Sequence, residues 1–381
     1  MQRREITLLR IVFLAGLIFW AGASLITPFS QAASGTAGAD FLDIPVGAGP
    51  AAMGSAYTAL ATDGYAPVYN PAGLGFVDLP QVTGQHLAYL DSVHYEFASV
   101  AYPLPRANFA SIPGNSALGA SIQYLGSGDI TRTDVNGNSI GDFSSSYAAY
   151  SLSYGRTLGD KFSLGVTGKM INGNINGFSG SAYAADVGSL YKSGPLSLAA
   201  VFTNMGTPLK FIDDSNPLPR DLHLAAAYHI TSRWLVSAES IYAVSDPASF
   251  HLGVQWSPLE EVDLRAGYKT DTLNELSPLA GITAGIGIHI WGQELAYAWA
   301  PYGDLGDAQY FSILIRFGSR EQLKRNLIQF QSIKQHRLAN QGSNGQNDGG
   351  EDTDNQQLME LLKNDETHVS QSPAPADKDA R

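Results

Sequence analysis

At 381 residues the chain is long enough for two soluble domains or for one large barrel. Charged residues make up only 15%, against roughly 25% in soluble globular domains, while glycine numbers 40 and aromatics reach 10%, a balance that favours an all-β membrane protein. The net charge of −12 argues against a nucleic-acid partner, which needs a basic face, and the lack of cysteine excludes disulfides, thiolate metal sites and a lipoprotein anchor.

Arg3, Arg4 and Arg10 precede an apolar run from Ile11 to Trp20, and small residues follow to Ala32 and Ala33. This is the pattern of a secretory signal peptide covering residues 1–33, and its apolar core of about ten residues is short for a membrane span. Residues 34–80 form a second unit. Ala51, Ala52, Gly54, Ser55, Ala56, Ala59 and Ala61 make a thin apolar rod whose only bulk is Met53, Tyr57 and Leu60. Such a rod suits an enclosed space where its backbone approaches a surrounding wall. At Asn70-Pro71-Ala72 a short helical turn is expected, because Asn is a strong N-cap and Pro is pre-set for the first helical position.

No later run is apolar enough for a transmembrane helix, so a spanning chain must be a closed barrel. Fourteen strands are expected between residues 81 and 318, near 81–90, 95–104, 117–126, 146–157, 161–171, 181–191, 196–203, 221–229, 234–244, 249–257, 262–270, 280–290, 293–300 and 309–317. Alternation is clearest where Ile282, Ala284, Ile286, Ile288 and Ile290 interleave with Gly281, Thr283, Gly285, Gly287 and His289. The connections alternate between tight turns, such as Leu158-Gly159-Asp160, and long loops at 127–145, 204–220 and 271–279, the asymmetry of an outer-membrane barrel. The connection from Pro105 to Ser116 breaks that rule. Tyr89, Tyr102, Tyr191, Trp234, Trp291 and Trp299 are expected as interfacial girdle residues. Residues 319–381 read as a periplasmic tail, helical near 320–337 and then polar, acidic and Gly-rich.

Lys169, Asp186, His223, His229, Glu239, His251, Asp263, Arg265, Lys269, His289, Glu294 and Arg316 fall on the expected inner faces, where mutual pairing is their ordinary role. The chain has no HExxH or Walker A sequence, and His223 and His229 lie about 20 Å apart along one strand, too far to share a metal. Neither an enzyme nor a metal or cofactor site is expected.

The stretch FLDIPVGAGPAAMGSAYTALATDGYAPVYNPAGL, together with Asn204-Met205-Gly206-Thr207-Pro208-Leu209, Leu218-Pro219-Arg220-Asp221-Leu222, Leu264-Arg265-Ala266-Gly267-Tyr268 and Tyr302-Gly303-Asp304-Leu305-Gly306, resembles the PorV/PorQ family of outer-membrane barrels within the wider FadL-like group. The resemblance covers roughly residues 40–317 and stops before the tail, a departure from members that finish at the last strand. It implies a transmembrane antiparallel β-barrel with an N-terminal luminal plug, in the bacterial outer membrane and in contact with its lipid. Asn70, Pro71 and Ala72 would then belong to a hatch, and Met53, Tyr57, Leu60, Tyr65 and Tyr69 would face a hydrophobic small-molecule ligand. Two roles follow from the resemblance: passage of hydrophobic or amphipathic molecules, or binding of exported proteins or a type IX secretion subunit through the outer loops 127–145 and 204–220.

Overall fold

The computed structural model describes residues 37–89, 92–105, 114–212, 214–244, 247–271, 280–303 and 306–318. The signal segment, the tail and most of the 105–116 connection lie outside the described residues, as do 272–279.

Fourteen antiparallel strands close into a barrel. They are β1 Gln81–Ala88, β2 His94–Leu104, β3 Ser116–Gly126, β4 Ser145–Leu158, β5 Phe162–Ile175, β6 Phe178–Ser193 and β7 Leu196–Gly206. The circuit continues with β8 Asp221–His229, β9 Trp234–Ala243, β10 Ser249–Leu259, β11 Val262–Lys269, β12 Ile282–Ile290, β13 Gln293–Pro301 and β14 Asp307–Arg316. Each strand pairs with its neighbours in sequence, and β1 closes on β14 with Gln81 opposite Arg316. All fourteen expected strands are present.

The burial pattern inverts that of a soluble protein. Val82, Val100, Leu118, Ile122, Leu152 and Val166 are exposed, while their in-strand neighbours Thr83, Ser99, Ser121, Ser151, Ser153 and Thr167 are buried. A greasy outside around a polar inside is the arrangement of a barrel whose solvent is lipid. At the end with short turns, the rings of Trp234 and Trp256 stack with centroids 5.6 Å apart, and Trp291 stands almost fully exposed on a tight turn. This end is periplasmic, because outer-membrane barrels keep their short turns inside. Tyr102, Tyr191 and Trp299 also face outward. Tyr89 does not: it follows the parity of inward-facing Leu87 and packs edge-on against Tyr302, 5.7 Å away.

The outer end is more ordered than its loop-like sequence suggests. Strands β5 and β6 run on to a two-residue turn, Asn176-Gly177, with φ of 51° and 85°. Asn-Gly accepts this left-handed pair of conformations readily, so the hairpin twists with its strands. Within 127–145, Ile130–Thr133 pairs with Ser139–Phe143, and within 204–220, Leu209–Phe211 pairs with Asp214–Asn216. In the first hairpin, Asp134 Oδ1 accepts the amides of Asn136 and Asn138, holding the carboxyl below the usual carboxylate range.

Residues 37–79 touch inward-facing residues all round the barrel. The short helix Ala48–Ala52 and the following turn meet β11 to β14, whereas Pro71–Phe76 meets β4 to β6, nearly diametrically across the ring. A segment touching both walls from their inner faces runs through the lumen. Gly38 N–H donates to Pro217 O in the outer loop, and Leu79 leads into β1 at the periplasmic end.

Candidate functional site

Two seats hold the luminal segment. At the first, Asn70 caps the 3₁₀ turn Pro71–Phe76: its Oδ1 accepts the amide of Ala72 at 3.0 Å. Its Nδ2 donates to Thr58 O at 3.1 Å and to Ser189 O at 3.2 Å, so one fully buried amide ties the turn to the segment and to β6. The wall beneath is a row of glycines in register across three strands, Gly155, Gly165 and Gly188. A Cβ at Gly155 or Gly165 would overlap the Pro71 backbone, and one at Gly188 would overlap Asn70 Oδ1. Glycine here permits close backbone approach rather than an unusual dihedral. The second seat lies opposite, where Gly253 pairs with Gly267 under Met53 and Gly54. Thr283 Oγ1 there accepts the Gly54 amide and donates to Ala52 O, both at 3.0 Å.

Between the seats lies an aromatic knot. Tyr57 meets Tyr69 edge-on at 5.5 Å and Tyr65 at 6.2 Å, and Tyr65 stacks on Phe97 at 6.0 Å. Tyr57 donates its hydroxyl to Asp63 Oδ2 at 2.7 Å. Asp63 Oδ1 also accepts the Tyr65 amide at 3.0 Å.

Above this knot, toward the outer loops, lies a cavity of about 570 Å³. Leu42, Ile44, Pro45, Val46 and Val68 from the luminal segment give it an apolar floor, and Ile241 extends that surface onto β9. Polar groups line the rest: Lys169, Asn204, Asp221, His223, Glu239 and His251. Of the five side chains expected to face a ligand, Tyr69 lines this cavity. Met53 is buried against Gly253, Tyr57 and Tyr65 belong to the knot, and Leu60 packs in a lower cluster with Ala59, Ala72 and Leu190.

Most of the expected inner-face charges form ion pairs, but Arg316 donates to Gly292 O and His229 is exposed. Lys169 Nζ lies 2.8 Å from Asp186 Oδ2 and donates to Asn204 Oδ1 at 2.8 Å. Asp186 Oδ1 accepts the Asn204 amide where the β6–β7 register shifts, so the triad fixes a bulge. Asn204 takes a φ of 55° there, and its Nδ2 donates to Pro219 O at 2.6 Å. Glu239 contacts His223 Nδ1 at 2.8 Å and accepts from both the hydroxyl (2.6 Å) and the amide (3.1 Å) of Thr58. Thr58→Val removes the hydroxyl donor and should cost about 1.5–3 kcal/mol, the usual worth of a hydrogen bond to a charged group, read as a lower urea midpoint for unfolding.

Lower down, Asp263, His289 and Glu294 offer ligand atoms within 4.8 Å of one another. Arg265 already supplies their cation, donating to Glu294 at 2.7 Å and to Asp263 at 2.9 Å. At the rim, burial pushes the Asp271 carboxyl up, but hydrogen bonding to His251 and the charge of Lys269 more than offset it and hold the group well below the usual range. Ser249 Oγ (3.3 Å) and Asp271 Oδ2 (3.6 Å) both approach Nε2 of His251. A proton relay would use opposite ring nitrogens, so this trio is not arranged as a nucleophile with an oriented base.

Residues 29–231 match the family described as Type IX secretion system protein PorV. No curated protein matches the chain. Among solved structures, the Pseudomonas putida toluene transporter TodX is 14% identical, with 71% of this chain and 96% of that one covered and a TM-score of 0.49. The Ralstonia pickettii toluene transporter TbuX is 13% identical, covering 72% and 98%, also with a TM-score of 0.49. A Pseudomonas aeruginosa FadL homologue is 12% identical, covering 70% and 96%, with a TM-score of 0.45.

Proposed function

The chain belongs to the family of type IX secretion system protein PorV and is an outer-membrane barrel; on that premise we propose that it binds hydrophobic or amphipathic small molecules beneath its outer loops and passes them inward. Residues 34–80 act as the plug, 81–318 as the barrel, and 319–381 as a periplasmic tail. Asn70, Pro71 and Ala72 form the foot of a hatch that yields when a ligand enters.

The observation that carries this reading is the cavity of about 570 Å³, a volume suited to one small organic ligand. Its floor belongs to the luminal segment and its walls to the barrel, so a bound molecule would touch both bodies that must part for passage. Met53, Tyr57, Leu60 and Tyr65 lie deeper and become ligand-facing only once the hatch has moved. Ile241→Trp fills the cavity from β9 and should weaken ligand retention about tenfold or more while leaving the barrel folded, measured by mass spectrometry of the purified protein. Unchanged retention would place the ligand elsewhere.

A second reading rests on the family itself: a barrel that receives exported proteins or docks on a secretion subunit through loops 127–145 and 204–220. Mild-detergent isolation from native outer membranes separates the two. A stoichiometric protein companion supports the secretion role, and a lipid-like molecule with no companion supports passage.

A further inference from the structure

On the reading that residues 34–80 lift to let a ligand through, we propose that one row of wall hydroxyls guides its polar end. Thr83, Ser99, Ser121 and Ser151 form a track for an uncharged, hydrogen-bonding head, such as that of a long-chain alcohol. The track runs from the outer cavity down to the periplasmic end of β1.

Strand register assembles the row. Thr83 lies opposite Ser99, Ser99 opposite Ser121, Ser121 opposite Ser151, and Ser151 opposite Lys169, which lines the cavity. The row descends because barrel strands are tilted. Counted from the periplasmic end, Lys169 is the eighth residue of β5, Ser121 the sixth of β3 and Thr83 the third of β1.

Hydrogen bonding sets this row apart. Other hydroxyls beneath the luminal segment are satisfied: Ser163 Oγ donates to Ala72 O at 2.6 Å, and Ser153 and Thr167 bond each other at 2.8 Å. Within the row, Ser99 Oγ donates to Gly64 O, but the hydroxyls of Thr83, Ser121 and Ser151 have no partner among the described residues. All four side chains are buried, none more than 6% exposed. A hydroxyl shut away without a partner costs stability, so a wall built only to hold the segment would be better served by alanine.

The cover over these strands belongs to the hatch. The helix Ala66–Tyr69 runs directly into Asn70, packs on β2, β3 and β4, and contributes Val68 and Tyr69 to the cavity. Lifting the foot at Asn70-Pro71-Ala72 carries this helix off the strands that hold the row. Each freed hydroxyl both donates and accepts, so it can exchange hydrogen bonds with an alcohol in turn. An ionised head would lose its water with nothing to replace it. Lys169 is already matched by Asp186, and the inner-face neighbours Gln81, Gln85, Gln123 and Ser153 are uncharged.

The test uses the full chain in nanodiscs of zwitterionic lipid and a long-chain alcohol carrying a photoreactive diazirine beside its hydroxyl. The matching hydrocarbon diazirine is the control. Labelled residues are mapped by mass spectrometry in the parent and in an unseated form, Gly165→Val or Asn70→Ala, whichever exposes residues 34–80 to added protease. In the parent, the alcohol should label the cavity lining. In the unseated form its label should extend along β2, β3 and β4 around the row, about fivefold above the label on β6, which the foot also uncovers. The hydrocarbon should show no such preference. Ser121→Ala with Ser151→Ala should cut the labelling of β3 and β4 about fivefold, the worth of one hydrogen bond, while the urea midpoint of the seated barrel holds or rises. Equal labelling of β6, or the same preference from the hydrocarbon, overturns the track while leaving the cavity as a ligand site. A midpoint lowered by the double alanine change gives the hydroxyls a structural role and overturns it too. No label inside the barrel in either form overturns the ligand reading itself.

Discussion

Gly165→Val should unseat the luminal segment while leaving the barrel folded. The added Cβ would overlap Pro71 C and Ala72 N, which are backbone atoms and cannot rotate aside. Overpacking of this kind costs about 1–3 kcal/mol even where side chains can yield, so the turn at Asn70-Pro71-Ala72 must lift from the wall. The strand itself has no reason to suffer, because valine suits a pleated surface better than glycine by up to about 1 kcal/mol. The natural chain has no cysteine, so a single Ala59→Cys, at a position 2% exposed, reports on the change. Thiol labelling should be slow in the parent and rapid with Gly165→Val, while the heat-dependent gel shift of a folded barrel persists. Gly168→Val is the control: it lies on the same strand, and a Cβ there has nothing within 4 Å. Equal labelling in all three proteins would show that the glycine row is not a seat.

Removing the positive end of the buried triad should have a comparable cost by a different route. Lys169→Met leaves Asp186, whose side chain is fully buried, with no cation. Breaking a buried pair from one side typically costs about 3–5 kcal/mol, because the remaining charge keeps its desolvation penalty without its partner. The effect should localise to the β6–β7 bulge, where Asp186 also holds the Asn204 amide and Asn204 in turn holds Pro219. A large fall in the urea midpoint is expected, together with earlier proteolysis in the 204–220 loop. Replacing both members, Lys169→Met with Asp186→Asn, should recover most of the loss, since no lone charge then remains. A loss as large in the double variant as in the single one would mean that the lysine matters for its shape and not its charge.

Much of this molecule was legible because a barrel writes its rules locally. Strand parity, inward charges and the long-and-short rhythm of connections all follow from a period of two and a chain that reverses at each end. The Asn70 cap was legible for the same reason, being a bond between a residue and its second neighbour. The Asn176-Gly177 hairpin was missed although the dipeptide is a strong turn signal, because Asn172, Gly173 and Asn174 ahead of it lack apolar alternation. Tyr89 was misread by residue type when parity had the answer. The glycine row and the cavity were beyond reach for a deeper reason. Gly155, Gly165 and Gly188 share a level only through strand register, and the cavity joins Ile44 to His251 across two hundred residues of chain. Such meetings depend on tertiary geometry, and no local pattern encodes them.

The luminal segment also sets an order of events. Its first described residues sit at the cell-surface end, hydrogen-bonded to the 204–220 loop, and it leaves the lumen at the periplasmic end directly into β1. The seam between β1 and β14 joins the first and last strands made, so closure waits for the whole barrel to be synthesised. The glycine seats then engage a segment whose downstream end is already fixed. Slipping a free chain end afterwards through a lumen this narrow would demand a single extended path and a large loss of conformational entropy. Wrapping rather than threading is the expected order of assembly, with the wall curling around a segment laid down before it.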